Sequence, residues 1–381
     1  MNRYAAAVSG HPLATHAVGE VAGELLDALA GATPDLLVWF VSPHHIGALE
    51  DIHRALGALV GAGVTIATTA VSVIGGSSEI EDAPGLSAFA AIMPDHDVSP
   101  IRLTAVETPE GLDLLGWPDD LAAAHTAILL GDPFTLPAEA LLDGAAARAP
   151  GLRIVGGLAS AGTRPGVNRL ILDGTIHHEG AVGIAIGGPV PIGTVVSQGC
   201  RPIGEPFTVT AAEGRFISTL GGRPALERLQ ETAAAATEAE RDLLRRGVHL
   251  GIAVDEQRDE LGRGDFLIRG VIGGDRETGA IAVGARVPVG TTVRFQVRDA
   301  ASADEDLGLL LGGEHAAAAL LFTCNGRGSH LFGAPDHDAL AVQGALGPIP
   351  LAGMACAGEF GPVGPGNHLH GFTASIALLG D

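Results

Sequence analysis

The sequence predicts an α/β protein, a two-domain mixed-sheet sandwich with helices packed on the sheets. Three observations carry this. Short apolar runs alternate with longer ones whose leucines, valines and alanines recur at helical spacing. Glycine clusters such as Gly75-Gly76-Ser77-Ser78 and Ala159-Ser160-Ala161-Gly162 end the apolar runs. The same order, strand–helix–strand–loop–strand, returns three times, with central strands reading T-I-A-T-T-A-V, I-V-G-G-L-A-S and P-L-A-G-M-A-C. Such recurrence marks duplication of one supersecondary unit.

Residues 11–29 carry Leu13, Val18, Val21, Leu25, Leu26 and Leu29 at helical spacing, an amphipathic opening helix. The first copy then reads as strand 36–41, helix 49–60 and strands 64–74 and 86–93. The second reads as strand 125–130, helix 137–147 and strands 152–158 and 181–186. The third reads as strand 317–322, helix 336–346 and strands 349–354 and 372–379. Between the last two copies, the prolines and glycines of 193–209 predict an ordered loop, and 223–246 a helix. Residues 248–254, 266–272, 280–285 and 292–297 predict an antiparallel meander. Residues 300–313 are acidic, then helical. The expected domains are 1–195 and 196–381.

At 381 residues the chain suits two domains. Its residues are 46% apolar but only 4% aromatic, so the core must be built from aliphatic side chains. Net charge is −22 and every basic residue is arginine, which excludes nucleic acid as a natural partner. The long uncharged stretches 55–78 and 180–200 are interrupted by glycine and hydroxyl residues, which argues against membrane insertion. No export signal opens the chain, so a cytoplasmic location is expected. Cys200, Cys324 and Cys356 form no CxxC pair and are read as thiols.

Candidate ligand-binding residues cluster where apolar runs end. Cys324 stands where a buried strand turns into N-G-R-G. Its thiol suits packing, but Arg327 nearby would lower its pKa. Asn325, Arg327 and Gly328 could read a ligand carboxylate, for which the guanidinium fork is well matched. Glu359, after Ala357-Gly358 and beside Cys356, could meet a ligand amine, so that Arg327 and Glu359 together suit a zwitterion. The alternative is a simple ion pair between the two loops. His368 and His370 would share one strand face, and with Cys356 or Glu359 offer a weak metal pattern. Cys200 and Arg201 sit in the proline-rich loop, and Arg269 interrupts an apolar strand. No nucleophile elbow, P-loop, dinucleotide fingerprint or H-E-x-x-H occurs, which inclines the reading against catalysis.

These same residues carry a family resemblance. G-C-R-P-I-G-E-P (199–206), F-L-I-R-G-V-I-G-G-D (266–275), F-T-C-N-G-R-G (322–328), P-L-A-G-M-A-C-A-G-E-F-G-P (350–362) and H-L-H-G-F-T-A-S (368–375) resemble the FIST proteins. So do L-L-V-W-F-V-S and I-V-G-G-L-A-S-A-G in the first half. The resemblance implies an N-terminal and a C-terminal FIST domain in a bacterial stand-alone form. It also implies a sensory module of signal transduction that binds small molecules such as amino acids. Bacterial members are joined to, or encoded beside, chemotaxis receptors, histidine kinases and cyclic-dinucleotide enzymes, and a eukaryotic branch sits in F-box adaptors. With no output region visible, a separate signalling protein is the expected partner. Some members are similar to haem-binding nitric-oxide sensors, so haem on His368, His370 or a cysteine is one alternative. A thiol enzyme using Cys324 is another.

Overall fold

The first copy begins with a strand absent from the sequence reading, β1 (Arg3–Ser9). Helix α1 (Ala14–Ala28) follows, burying Val18, Val21 and Leu25 from one face. Strand β2 (Leu36–Val41) is buried along its whole length, which is why it reads as an unbroken apolar run. Helix α2 (Leu49–Leu59) buries Leu49, Ile52 and Leu56, three residues on one face. Then come β3 (Val64–Thr69), a short hairpin of β4 (Val73–Gly75) and β5 (Ser78–Ile80), and β6 (Leu86–Ile92). Strand β2 lies parallel to β3 and antiparallel to β6, and β1 lies outside β6.

The second copy repeats this plan. A leading hairpin, β7 (Asp97–Thr108) and β8 (Gly111–Leu115), precedes β9 (Thr126–Gly131), α3 (Ala138–Arg148) and β10 (Arg153–Leu158). A hairpin of β11 (Leu170–Leu172) and β12 (Thr175–His177) leads into β13 (Ala181–Gly187). Again the first strand, β9, is parallel to β10 and antiparallel to β13, with β7 outside β13.

After β14 (Gly193–Gln198) the chain enters different material. Strands β15 (Cys200–Pro202), β16 (Phe207–Glu213), β17 (Phe216–Leu220) and β18 (Arg223–Pro224) come first. Helices α4 (Ala225–Ala235) and α5 (Glu238–Arg246) follow, then β19 (His249–Ala253), β20 (Phe266–Gly274), β21 (Ile281–Val283), β22 (Thr292–Arg298) and α6 (Ala300–Leu311). Two expectations are corrected here. The loop expected over 193–209 holds β14, β15 and the start of β16. The helix expected over 223–246 is two, because Thr237 caps α5 in a reciprocal box with Glu240. The strands pair antiparallel in one sheet, β15-β22-β16-β17-β21-β20-β19, over a core of Val209, Ile217, Leu250, Val293 and Phe295.

The third copy holds β23 (Ala318–Cys324), α7 (Ser329–Phe332), α8 (His337–Leu346), β24 (Leu351–Cys356), the hairpin β25 (Glu359–Val363) and β26 (Gly366–His370), and β27 (Thr373–Leu379). Strand β23 is parallel to β24 and antiparallel to β27, and β14 supplies the outer strand.

Each copy lends its hairpin to another. Strand β4 of copy one pairs with β24 of copy three, β11 of copy two with β3 of copy one, and β25 of copy three with β10 of copy two. The exchange closes a cycle of three sheets. Their inner faces share one core, in which Phe40, Phe89, Ile128, Val155, Leu320, Phe322 and Met354 are all buried. Phe40 meets Phe322 edge-on at 6.0 Å. Helices α1 and α2 cover the outer face of the first sheet, and α3 that of the second.

The structure, a computed structural model, describes residues 1–380 apart from 110, 257, 259 and 260. It divides into one unit of Met1–Val196, Gly308–Leu369 and Thr373–Asp381, and a second of Ser197–Leu307 and His370–Phe372. This α/β division differs from a single cut after residue 195, because the third copy completes the sheets of the first two. Among the described residues no helix is long and apolar enough to cross a membrane.

Candidate functional site

Within the first unit, the ends of β23 and β24 bring several of the expected residues together. Cys324 and Cys356 are the last residues of the two strands and stand opposite each other in the parallel register. Both follow the alternation that places Leu320, Phe322, Ala352 and Met354 in the central core, so the two share one face; Cys356 belongs to that core. The N–H of Asn325 donates to the Cys356 carbonyl at 2.8 Å, and that of Arg327 to the Cys324 carbonyl at 2.8 Å, tying the N-G-R-G turn to the strand ends. Gly328 has φ +63°, and a Cβ there would lie 2.5 Å from the Glu81 carboxylate. Glu81 accepts from the N–H and Oγ of Ser329 at 2.9 and 2.6 Å, so the turn is held against the first copy's hairpin.

Arg327 has no solvent exposure along its side chain. Its Nε and Nη2 donate to Asp338 Oδ2 and Oδ1, both at 2.7 Å, in a bidentate fork. The Phe332 ring lies 5.2 Å from its guanidinium carbon, and His337 stacks on that ring and reaches Asp338 Oδ1 at 3.1 Å. Burial pushes the arginine's pKa down, but the charge and hydrogen bonds of Asp338 override it and hold the group cationic. The Cys324 thiol and the Glu359 carboxylate act on it in the same direction. Its third nitrogen, Nη1, is buried and has no acceptor among the described residues.

The sequence expectation for this pair is corrected in part. The fork edge expected to read a ligand carboxylate is taken by Asp338. Glu359 is the first residue of β25 and fully buried, with Oε2 accepting from the N–H and Oγ1 of Thr373 at 3.1 and 2.7 Å. It lies in the sheet because its strand pairs with β10 at Gly157.

Four other named residues belong to the second unit. Arg201 is bound by Asp299 at 2.8 Å and Glu240 at 3.0 Å, an ion-pair hub that ties β15 to α5 and to the start of α6. Cys200 is buried with Phe266 and Ile268. Arg269, on β20, donates to the Ile268 carbonyl at 2.9 Å. His370 is buried at the end of β26. No group of three or more His, Cys, Asp or Glu among the described residues is placed to hold a metal ion. None of the three cysteines is disulfide-bonded.

Sequence reasoning missed Asp338, Glu79 and Glu81. Glu79 Oε1 accepts the N–H of Ala339 at 2.9 Å, and its own N–H donates to Asp336 Oδ1 at 2.6 Å, so the first copy's hairpin caps α8. Burial above all, then the Asp338 charge, raises Glu79 to about 7. The acidic pattern S-S-E-I-E at 77–81 was the available signal. What it lacked was any hint that this hairpin crosses to the third copy.

Family models match nearly the whole of this framework, the FIST N domain over residues 35–223 and the FIST C domain over 225–362. The chain belongs to the FIST family. It is 43% identical over 387 residues to the uncharacterized protein Rv0628c of Mycobacterium tuberculosis strain H37Rv, covering 100% of both chains. It is 42% identical over 378 residues to the uncharacterized protein Mb0898c of Mycobacterium bovis, covering 97% of each. FIST domains are regarded as small-ligand-binding domains of signal transduction. The FIST N match runs past Val196 into the second unit, and the FIST C match returns to the first, so the family's two halves do not coincide with the two units.

Proposed function

We propose that this FIST protein binds a small polar metabolite, amino-acid-like in carrying a carboxylate or carbonyl oxygen, and signals by binding rather than by catalysis. The observation that supports it is the Nη1 of Arg327, a buried donor without an acceptor among the described residues. Leaving such a donor unsatisfied costs about 1–3 kcal/mol, which a ligand oxygen would offset. Asp338 already neutralises the guanidinium, so the ligand need not carry a full negative charge. On this reading Asn325 and Gly328, the sequence neighbours of Arg327 in its turn, and Cys324, which interacts with the guanidinium electrostatically, would contribute to the binding site. Because Arg327 is closed off from solvent, entry requires the 325–333 turn to open, and glycines at 326, 328 and 333 suit it to do so. The bound state is then read by a separate signalling protein.

Thermal stability against a panel of amino acids and small metabolites tests this. A ligand at ~100 times its Kd adds about 2.7 kcal/mol. Arg327→Lys keeps a cation for Asp338 but removes Nη1, and is expected to abolish the shift while remaining folded. A shift of unchanged size in Arg327→Lys overturns the reading.

A further inference from the structure

We propose that Cys324 and Cys356 form an oxidant-responsive dithiol, in which Cys324 is the attacking sulfur and Cys356 closes an intramolecular disulfide. The sequence gives no sign of it, since 31 residues separate the two cysteines along the chain. Their juxtaposition is a product of the parallel register, in which Cys324 and Cys356 are direct partners on the final rung of the β23–β24 ladder. Neighbouring strands lie about 4.8 Å apart, inside the roughly 4.4–6.8 Å Cα separation that a disulfide spans. Residues opposite one another in a parallel pair point to the same face, and alternation puts both cysteines on the face of Leu320, Phe322, Ala352 and Met354.

The two thiols differ in the way that an attacking and a resolving sulfur should. Cys324 is 9% exposed and Cys356 0%, so a small oxidant reaches Cys324 first. Cys324 also interacts electrostatically with the Arg327 guanidinium, which Cys356 is not shown to do. Cys356 is pushed well up, by burial first and then by Glu359 and Cys324, so it stays a thiol until a partner is presented to it.

With a peroxide as oxidant the step balances. The Cys324 thiolate attacks one peroxide oxygen. The O–O bond breaks and an S–O bond forms, giving the sulfenic acid and a hydroxide that leaves as water with the thiol's proton. Cys356 Sγ then attacks Cys324 Sγ, the S–O bond breaks, and the second hydroxyl leaves as water with the proton of Cys356. Two thiols and one hydrogen peroxide give one disulfide and two waters.

The proposal needs no ligand, so it stands or falls apart from the binding reading. The full chain has no lysine, and trypsin cuts at Arg298 and Arg327, leaving Cys324 in peptide 299–327 and Cys356 in peptide 328–381. Ligand-free protein is treated with graded hydrogen peroxide, quenched, denatured and alkylated. The expected result is a fall in alkylatable thiols from three to one, with the two peptides linked in a single chain and Cys200 still alkylated. Cys356→Ser should instead leave a sulfenic acid on Cys324 that a dimedone probe traps, and Cys200→Ser should change nothing. Overturning results are three thiols surviving peroxide that oxidises exposed methionine, Cys324 advancing to the sulfinic acid with Cys356 still alkylatable, or a disulfide joining two chains. Wild-type protein alone decides between these, so poor folding of a variant would not obscure the answer.

Discussion

Arg327 and Asp338 face each other as a closed fork, Nε to Oδ2 and Nη2 to Oδ1 at 2.7 Å each, with neither side chain exposed to solvent. A buried pair of this kind tolerates loss of one partner badly, because the other is left as an uncompensated charge. Asp338→Asn is expected to destabilise the first unit by about 3–5 kcal/mol, whereas Arg327→Met with Asp338→Leu should cost markedly less. Denaturant unfolding of the two variants checks the order. The carboxylate's own linkage is smaller: burial raises it, but Arg327 pulls it down from 3.8 to about 2. That stabilisation, about 2 kcal/mol, is complete above pH 3.8 and lost as pH falls towards 2.

Glu79 gives a pH dependence of opposite sign. Burial, then the Asp338 charge, raises it from 4.5 to about 7. The folded protein therefore keeps a proton that the unfolded chain has released. Its contribution, about 3 kcal/mol, is fully present below pH 4.5 and disappears as pH rises to about 7. His249 in the second unit works the other way: burial, then Arg298, lowers it from 6.5 to about 4, so stability is lost as pH falls through that window. The wild-type curve blends both, and Glu79→Gln, which keeps the acceptor for Ala339, separates them. The variant should be more stable than wild type near pH 8, with the gap closing towards pH 5. A gap of constant size across that range contradicts the assignment.

Much of this was legible in the sequence, and the failures that matter at the site share one cause, whereas β1, the β7–β8 hairpin and the strands within 193–209 were missed for want of a clear local pattern. The nine strands and three helices of the three copies lie close to their expected positions, because apolar runs such as Leu36–Val41 and helical faces such as Leu49, Ile52 and Leu56 are local signals. The hairpins β4–β5, β11–β12 and β25–β26 escaped, being short and stabilised by a sheet that belongs to another copy. That crossing is also why Glu79 and Asp338 were missed at the site, and why Glu359 was read as a loop residue. The sequence put Cys324 where a strand turns into N-G-R-G and Cys356 in the glycine loop after another strand, and only the register between the strands made them partners.

The cyclic exchange predicts that the first 195 residues do not form a folded domain alone. Without the third copy, β4 lacks β24, β10 lacks β25, and the core loses Leu320, Phe322 and Met354. A 1–195 fragment should bind a hydrophobic dye and unfold without a sharp transition. A cooperative two-state melt of that fragment would show that the core closes without the third sheet.

Gly157 is the place where copy three presses on copy two. Its Cβ would overlap the Cys356 sulfur, so Gly157→Ala should cost about 1–3 kcal/mol through overpacking. Removing the sulfur with Cys356→Ala should recover part of this, giving a coupling energy between the two positions. Strictly additive effects of the two substitutions contradict the contact.

The ligand claim is tested most directly by crystal structures of the protein with the strongest stabilising metabolite, in wild type and in Arg327→Lys. The account predicts a ligand oxygen within about 3 Å of Arg327 Nη1, the Asp338 fork unchanged and the 325–333 turn displaced, with no ligand in the variant. A ligand bound away from Arg327, with the turn closed and Nη1 still buried without an acceptor, would contradict it.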